Sequence, residues 1–193
     1  MSERESRKFD PARAPLLDAS ERDAYLPDDR VVDLLELAGT ETVLDYGAAP
    51  GRVALAAAAR LPAGRVIAVD ESLEMLEHLS ERVAPVANVE VIAIRDNAVP
   101  LGDASIDRIL AINVLHEVRG ENALAEMHRL LAPDGLLLVV DWDRERPSRS
   151  GPSRELLYDR EAVDECAAAG FAVESVDTGL PYHFVLRGRR HGG

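Results

Sequence analysis

Short runs of consecutive apolar residues alternate along this chain with stretches of helical periodicity. Thr42–Tyr46, Arg65–Asp70, 89–94, Ile106–Ile112 and 136–142 read as strands, and 52–61, Leu73–Val83, 121–131 and 161–169 read as helices. The strand runs, such as VLDY, VIAV, VEVIAI and LLLVV, are continuous rather than alternating. Strands of that kind are covered on both faces, as in a parallel sheet layered with helices. Alternation at this spacing implies βαβ units and an α/β, doubly wound fold. Two further strands, 171–176 and 182–186, are separated only by a turn centred on residues 178–181. A parallel crossover needs about a dozen residues, so these two strands pair antiparallel if they are neighbours.

Residues 1–27 are polar and broken by Pro11, Pro15 and Pro27, which reads as an arm with a short helix. From Asp28 the pattern becomes periodic: Val31, Val32, Leu34, Leu35 and Leu37 share one helical face, and Gly39 ends it. Residues 28–190 are expected to form a single domain. Within it the segment 144–159, rich in Pro, Gly, Ser and Arg, reads as a loop carrying Arg144, Arg146, Arg149 and Arg154. It is either a solvated connection or a flap that meets an anionic substrate.

The bulk properties exclude several classes. The net charge of −13 repels phosphate backbones and disfavours general nucleic-acid binding. No apolar run approaches the roughly 20 residues that cross a bilayer, and the first residues lack a signal peptide's apolar core. The expectation is a cytoplasmic protein. The single cysteine, Cys166, leaves no intrachain disulfide and no thiolate cluster. The histidines at 78, 116, 128, 183 and 191 show no metal-ligand spacing, so no metal is expected.

The chemistry sits in three segments that follow strands. VLDYGAAPG, residues 43–51, runs from a buried strand through Gly47, Ala48, Ala49, Pro50 and Gly51 into a helix. Glycine there lets backbone approach a ligand, and the helix start offers unpaired N–H groups. Asp70 ends the next strand, 19 residues beyond Gly51. A carboxylate about 20 residues past such a turn is where a ribose diol is bound. Asp96 and Asn97 follow the third strand on the same rim and could read an adenine edge. An adenosine-containing ligand is therefore expected, nicotinamide and flavin dinucleotides included. Against the dinucleotides, Ala49 stands at the second glycine place of G-x-G-x-x-G, and Gly51 comes one residue early. Two antiparallel strands also replace a full second mononucleotide half.

The order of VLDYGAAPGRVAL, VIAVDESLEML, SIDRILAINVLHEV, HRLLAPDGLLLVVDW and AAAGF resembles the class I S-adenosylmethionine-dependent methyltransferases, in particular the ubiquinone/menaquinone-biosynthesis-type branch. The resemblance spans about residues 28–186. It implies a Rossmann-like seven-stranded sheet in the order 3-2-1-4-5-7-6 with strand 7 antiparallel. It implies S-adenosylmethionine as cofactor and methyl transfer to a small-molecule acceptor. By position, Asp45, Gly47, Ala49 and Gly51 would cradle the methionine part, and Asp70 would bind the ribose. Glu71 and Met75 would flank the adenine, Asp96 and Asn97 would contact its edge, and Asn113 would lie beside the sulfonium. The loop departs from the branch's glycine-rich pattern at Ala48, Ala49 and Pro50. Lys8 is the only lysine, which excludes the lysine-dependent RNA ribose type, and the cysteine-dependent types are excluded with it. A nicotinamide-dependent oxidoreductase and a degenerate fold acting as a binding module are the competing readings.

A proton-bearing acceptor benefits from a general base. His116, three residues past Asn113 and followed by Glu117, is the first candidate. His183, Asp141 and Trp142 lie at strand ends that face the same mouth, where the latter two line the expected acceptor pocket.

Overall fold

The computed structural model describes residues 8–120, 122–146 and 156–191. Arg149 and Arg154 of the basic loop lie outside the described residues. Among the described residues seven strands form one sheet: β1 (Thr42–Tyr46), β2 (Arg65–Asp70), β3 (Val89–Ala93), β4 (Ile106–Ile112), β5 (Leu131–Trp142), β6 (Phe171–Ser175) and β7 (His183–Arg190). Their order is 3-2-1-4-5-7-6, and β7 is antiparallel to both of its neighbours. This is the expected topology. The strand order reverses between β1 and β4, which pair in parallel through Val43–Arg108 and Asp45–Leu110. Ligand crevices in open α/β sheets open above such a reversal, at the carboxyl ends of the strands.

Among the described residues six α-helices connect and cover the strands: α1 (Ala14–Leu17), α2 (Asp28–Asp33), α3 (Arg52–Ala58), α4 (Leu73–Val83), α5 (Ala123–Leu130) and α6 (Asp159–Ala168). Successive residues of a strand point to opposite faces. Val43, Val66, Leu110 and Leu138 enter one core layer, and Leu44, Ile67, Ile109 and Leu137 enter the other. Both layers are dry, and that double coverage is why the strands read as unbroken apolar runs. Helix α4 is capped by Ser72, whose Oγ accepts from Met75 N–H at 3.3 Å. It buries Leu76, Leu79 and Val83 at helical spacing against the sheet.

Three boundaries differ most from expectation. Helix α2 stops at Asp33, because Glu36 takes φ +53 and breaks the run, although Leu35 stays fully buried. Strand β5 begins at Leu131: Ile106 faces Leu131 while Arg108 faces Leu136, so residues 132–135 bulge within the strand. Strand β7 continues to Arg190 because β6 pairs with it along that length.

Candidate functional site

The turn after β1 is held by β2. Gly47 N–H and Ala48 N–H both donate to Val69 O, at 2.8 and 2.9 Å. Gly47 has φ +76, and a side chain there would meet Val114 Cγ2 at 2.4 Å. Gly51 has φ +86 at the start of α3, where a Cβ would lie 2.4 Å from Leu79 Cδ1. Between them Ala49 takes φ +48, and its N–H donates to Asp70 Oδ2 at 2.9 Å. The other carboxylate oxygen of Asp70 accepts from Ser72 N–H at 2.9 Å. A carboxylate has about four acceptor sites, so Asp70 keeps capacity for a diol. Burial pushes its carboxyl up, against the pull of those two N–H groups.

Asp45, at the end of β1, is buried, and its Oδ2 has no partner among the described residues. Burial, with the neighbouring Asp70 carboxylate, pushes its carboxyl up to about 7. One strand away, Asn113 directly follows β4 at φ +54, with its Oδ1 likewise buried and unpartnered. Asp96 and Asn97 form a tight turn with φ +51 and +62, closed by the Arg95–Ala98 bridge. Asp96 is exposed, whereas Asn97 is buried with its O and Oδ1 both 3.4 Å from Tyr46 Oη. Met75 is buried in the first turn of α4, and Glu71 pairs with Lys8 at 2.9 Å.

Beyond β4 the site changes character. His116 is buried, and its Nδ1 lies 2.7 Å from Asp141 Oδ1. His116 N–H donates to the second oxygen of the same carboxylate at 3.0 Å. A carboxylate can only accept, so this contact places a proton on Nδ1. Nε2 faces Glu117 Oε1 at 3.9 Å. Burial pushes Glu117 up to about 7, opposed by His116, Phe9 N–H and Lys8. At the end of β5, Trp142 pairs in register with His183 of β7, their rings 4.2 Å apart. Tyr25 lies parallel to the His183 ring at 6.1 Å and 5.8 Å from both Trp142 and Tyr182.

The sequence profile of a methyltransferase domain family matches residues 43–135, the segment from β1 into the first residues of β5. A solved S-adenosylmethionine-dependent methyltransferase from Aquifex aeolicus superposes with a TM-score of 0.87 at 28% identity, over 94% of this chain and 98% of that one. In fold and in sequence the chain is similar to the class I S-adenosylmethionine-dependent methyltransferases. It is also 31% identical over 112 residues to a ubiquinone/menaquinone biosynthesis C-methyltransferase of Syntrophotalea carbinolica, covering 57% of this chain and 47% of that protein. An uncharacterised 37.1 kDa transposon protein of Streptomyces fradiae shares 38% over 144 residues, 72% of this chain and 42% of its own. The chain thus spans less than half the length of these two relatives.

S-adenosylmethionine is the family's cofactor, and the residues present fit it. Its methionine part ends in an ammonium with three donors, and Asp45 Oδ2 and Asn113 Oδ1 are two buried acceptors without donors on adjacent strands. Asp70 has acceptor capacity for a ribose, and α3 begins at the glycine turn. The site also draws on residues that the motifs of this chain did not indicate. Arg22, buried in the arm, donates to Leu26 O and Asp28, and its charge is felt at both Asp45 and His183. Tyr25, Lys8 and Phe9 come from the same polar, proline-broken stretch. Only the isolation of Lys8 as the sole lysine marked that stretch in sequence.

Proposed function

We propose that this protein transfers the sulfonium methyl of S-adenosylmethionine to a small-molecule acceptor. The observation that carries the reading is the 2.9 Å hydrogen bond from Ala49 N–H to Asp70 Oδ2. It brings the glycine turn and the ribose-type acid together at one point, as recognition of a single nucleoside requires. On this reading Asp45, Gly47, Ala49, Gly51 and Asn113 hold the methionine part, Asp70 the ribose, and Glu71, Met75, Asp96 and Asn97 the adenine. When bound, the cofactor supplies a methyl group that is already electrophilic. The chain then contributes orientation, worth on the order of 7–11 kcal/mol in well-aligned reactions.

His116 is the proposed general base: Asp141 fixes its tautomer, and Nε2 takes the proton that the acceptor gives up. Residues 28–190 are proposed as the catalytic domain and the preceding arm as its cover. The acidic surface and the lack of any helix among the described residues long and apolar enough to cross a membrane favour a cytoplasmic enzyme on soluble acceptors. Calorimetry with S-adenosylhomocysteine, S-adenosylmethionine and NAD(H) tests the reading. The sulfur ligands bind and the nicotinamides do not; tight NAD(H) binding without a response to the sulfur ligands would end it.

A further inference from the structure

Charge, rather than an apolar core, binds the arm to the rest of the molecule. Among residues 8–24, Ala14 is the only buried apolar side chain, and Leu16 is 55% exposed. The ties are ionic. Lys8 pairs with Glu71 at 2.9 Å, and Asp18 accepts from Arg82 of α4 at 2.7 Å. Asp23 accepts from Arg52 at the start of α3, and Arg52 also donates to Asp28 at 2.8 Å, which pairs with Arg22. Leu26, fully buried, marks where the arm joins the core. Segments with few buried apolar contacts stand at the low end of local stability and open without global unfolding.

The path of the arm gives that weakness a location. Glu71 directly follows β2, and Glu117 lies in the loop after β4. Lys8 holds the first, and the adjacent Phe9 N–H donates to the second. In the sheet β1 lies between β2 and β4. Two strand spacings make about 10 Å, within reach of two neighbouring residues and a lysine side chain. Residues 8 and 9 therefore cross the carboxyl end of β1, where the Gly47–Gly51 turn and the Asp45 carboxyl lie. The one lysine among 22 basic side chains stands at this crossing.

We propose that residues 8–24 are a strap over the methyl-donor crevice, latched by Lys8 on Glu71 and by Phe9 on Glu117, which lifts to admit the cofactor and to release the spent product. The inference rests on the methyltransferase reading above and adds to it the step by which the cofactor exchanges. Lifting separates ion pairs and uncovers little apolar surface, so the sheet and its glycine turn stay in place. The side chains in these pairs are partly exposed, so salt screens them. A gate changes admission and release by the same factor and leaves affinity where it was, whereas a lost contact speeds release alone.

Arg82→Ala is the informative variant, because Arg82 ties down Asp18 and is not among the residues proposed to hold the cofactor. Release of tritiated S-adenosylhomocysteine into excess unlabelled ligand gives the off-rate. Calorimetry gives the dissociation constant, and the two together give the on-rate. In Arg82→Ala both rates rise by about two- to fivefold, the range that exposed ion pairs supply, and Kd stays within about twofold. Raising NaCl from about 50 to about 500 mM speeds both rates of the wild type in the same way. Unchanged rates in the variant and across the salt range overturn the strap. A faster off-rate matched by an equally weaker affinity overturns it too, because the arm would then be a contact. The latch is read from deuterium exchange at the Phe9 amide, which Lys8→Ala accelerates by about two- to fivefold; unchanged exchange overturns it. Failure of S-adenosylhomocysteine to bind the wild type would instead remove the methyltransferase reading, and exchange at Phe9 would still decide whether the strap lifts.

Discussion

Asp45→Asn should make the protein more stable while weakening its hold on the cofactor. The carboxyl is raised from 3.8 to about 7 by burial and by the Asp70 charge. Its native state therefore binds a proton more tightly than the unfolded chain does. Stability from this group is fully present below the unfolded value and is lost as pH rises through the native one. A shift of about three units corresponds to roughly 4 kcal/mol lost in full above neutral pH, an upper bound for a site that relaxes. Asparagine keeps the shape and retains an acceptor for Ala54 N–H, the backbone group that bonds this carboxylate. It removes the titration and turns an amide N–H toward Asp70. Urea unfolding of both proteins provides the measurement. The advantage of the variant grows by about 2 kcal/mol between about pH 5.5 and about pH 8.5, most of it before pH 7. In parallel, S-adenosylhomocysteine binds at least about tenfold more weakly, because its ammonium loses a charged acceptor. A stability difference that does not change with pH would refute the reasoning, since it would mean that Asp45 titrates alike in both states.

Asp70→Ala weakens S-adenosylhomocysteine binding by about 1.5–3 kcal/mol, typical of hydrogen bonds to a charged group; an unchanged calorimetric dissociation constant would place the ribose elsewhere. Gly51→Ala lowers stability by about 1–3 kcal/mol in chemical denaturation, because the residue sits at φ +86 with a Cβ position 2.4 Å from Leu79 Cδ1. His183, pushed from 6.5 to about 4 by burial, gives the opposite pH signature to Asp45. Its unfolded form binds protons more readily, so wild-type stability falls as pH drops from about 6.5 to about 4, by roughly 3 kcal/mol in all. His183→Phe should flatten that slope, and an unchanged acid limb would contradict the assignment of a neutral, buried ring.

The sheet was legible because its strands obey one rule along their whole length. VLDY, VIAV and LLLVV can be apolar throughout only if helices cover both faces, and the short link before β7 forced its direction. The turn after β1 was legible for a different reason: Gly47 and Gly51 sit at positive φ against Val114 and Leu79, positions that leave no room for a side chain. Ala49 shows the limit of such reading. It departs from the branch's glycine-rich pattern, yet the residue adopts φ +48, and its N–H is held by Asp70. The contribution of the arm was not legible. Arg22 and Tyr25 reach the rim through an irregular chain path, and no periodicity encodes where such a path leads. The His116–Asp141 pair was half legible: each residue ends its strand or follows one, but only the adjacency of β4 and β5 makes them partners 25 positions apart.

A fold of this kind satisfies its interior so completely that the exceptions become informative. More than nine in ten buried polar groups in native proteins are paired. Among the described residues, the buried side-chain atoms without a partner are Asp45 Oδ2, Asn113 Oδ1, both ring nitrogens of His183, and Arg187 Nε. The first four lie on one rim of one sheet, at the ends of β1 and β4 and at the start of β7. Core packing cannot account for them, because each sits where the apolar layers stop. Hydrophobic burial explains why the strands stack as they do, but it supplies no reason to leave these four atoms without partners along one rim. An ammonium would satisfy the two acceptors at Asp45 and Asn113, and the methionine part of the proposed cofactor carries one.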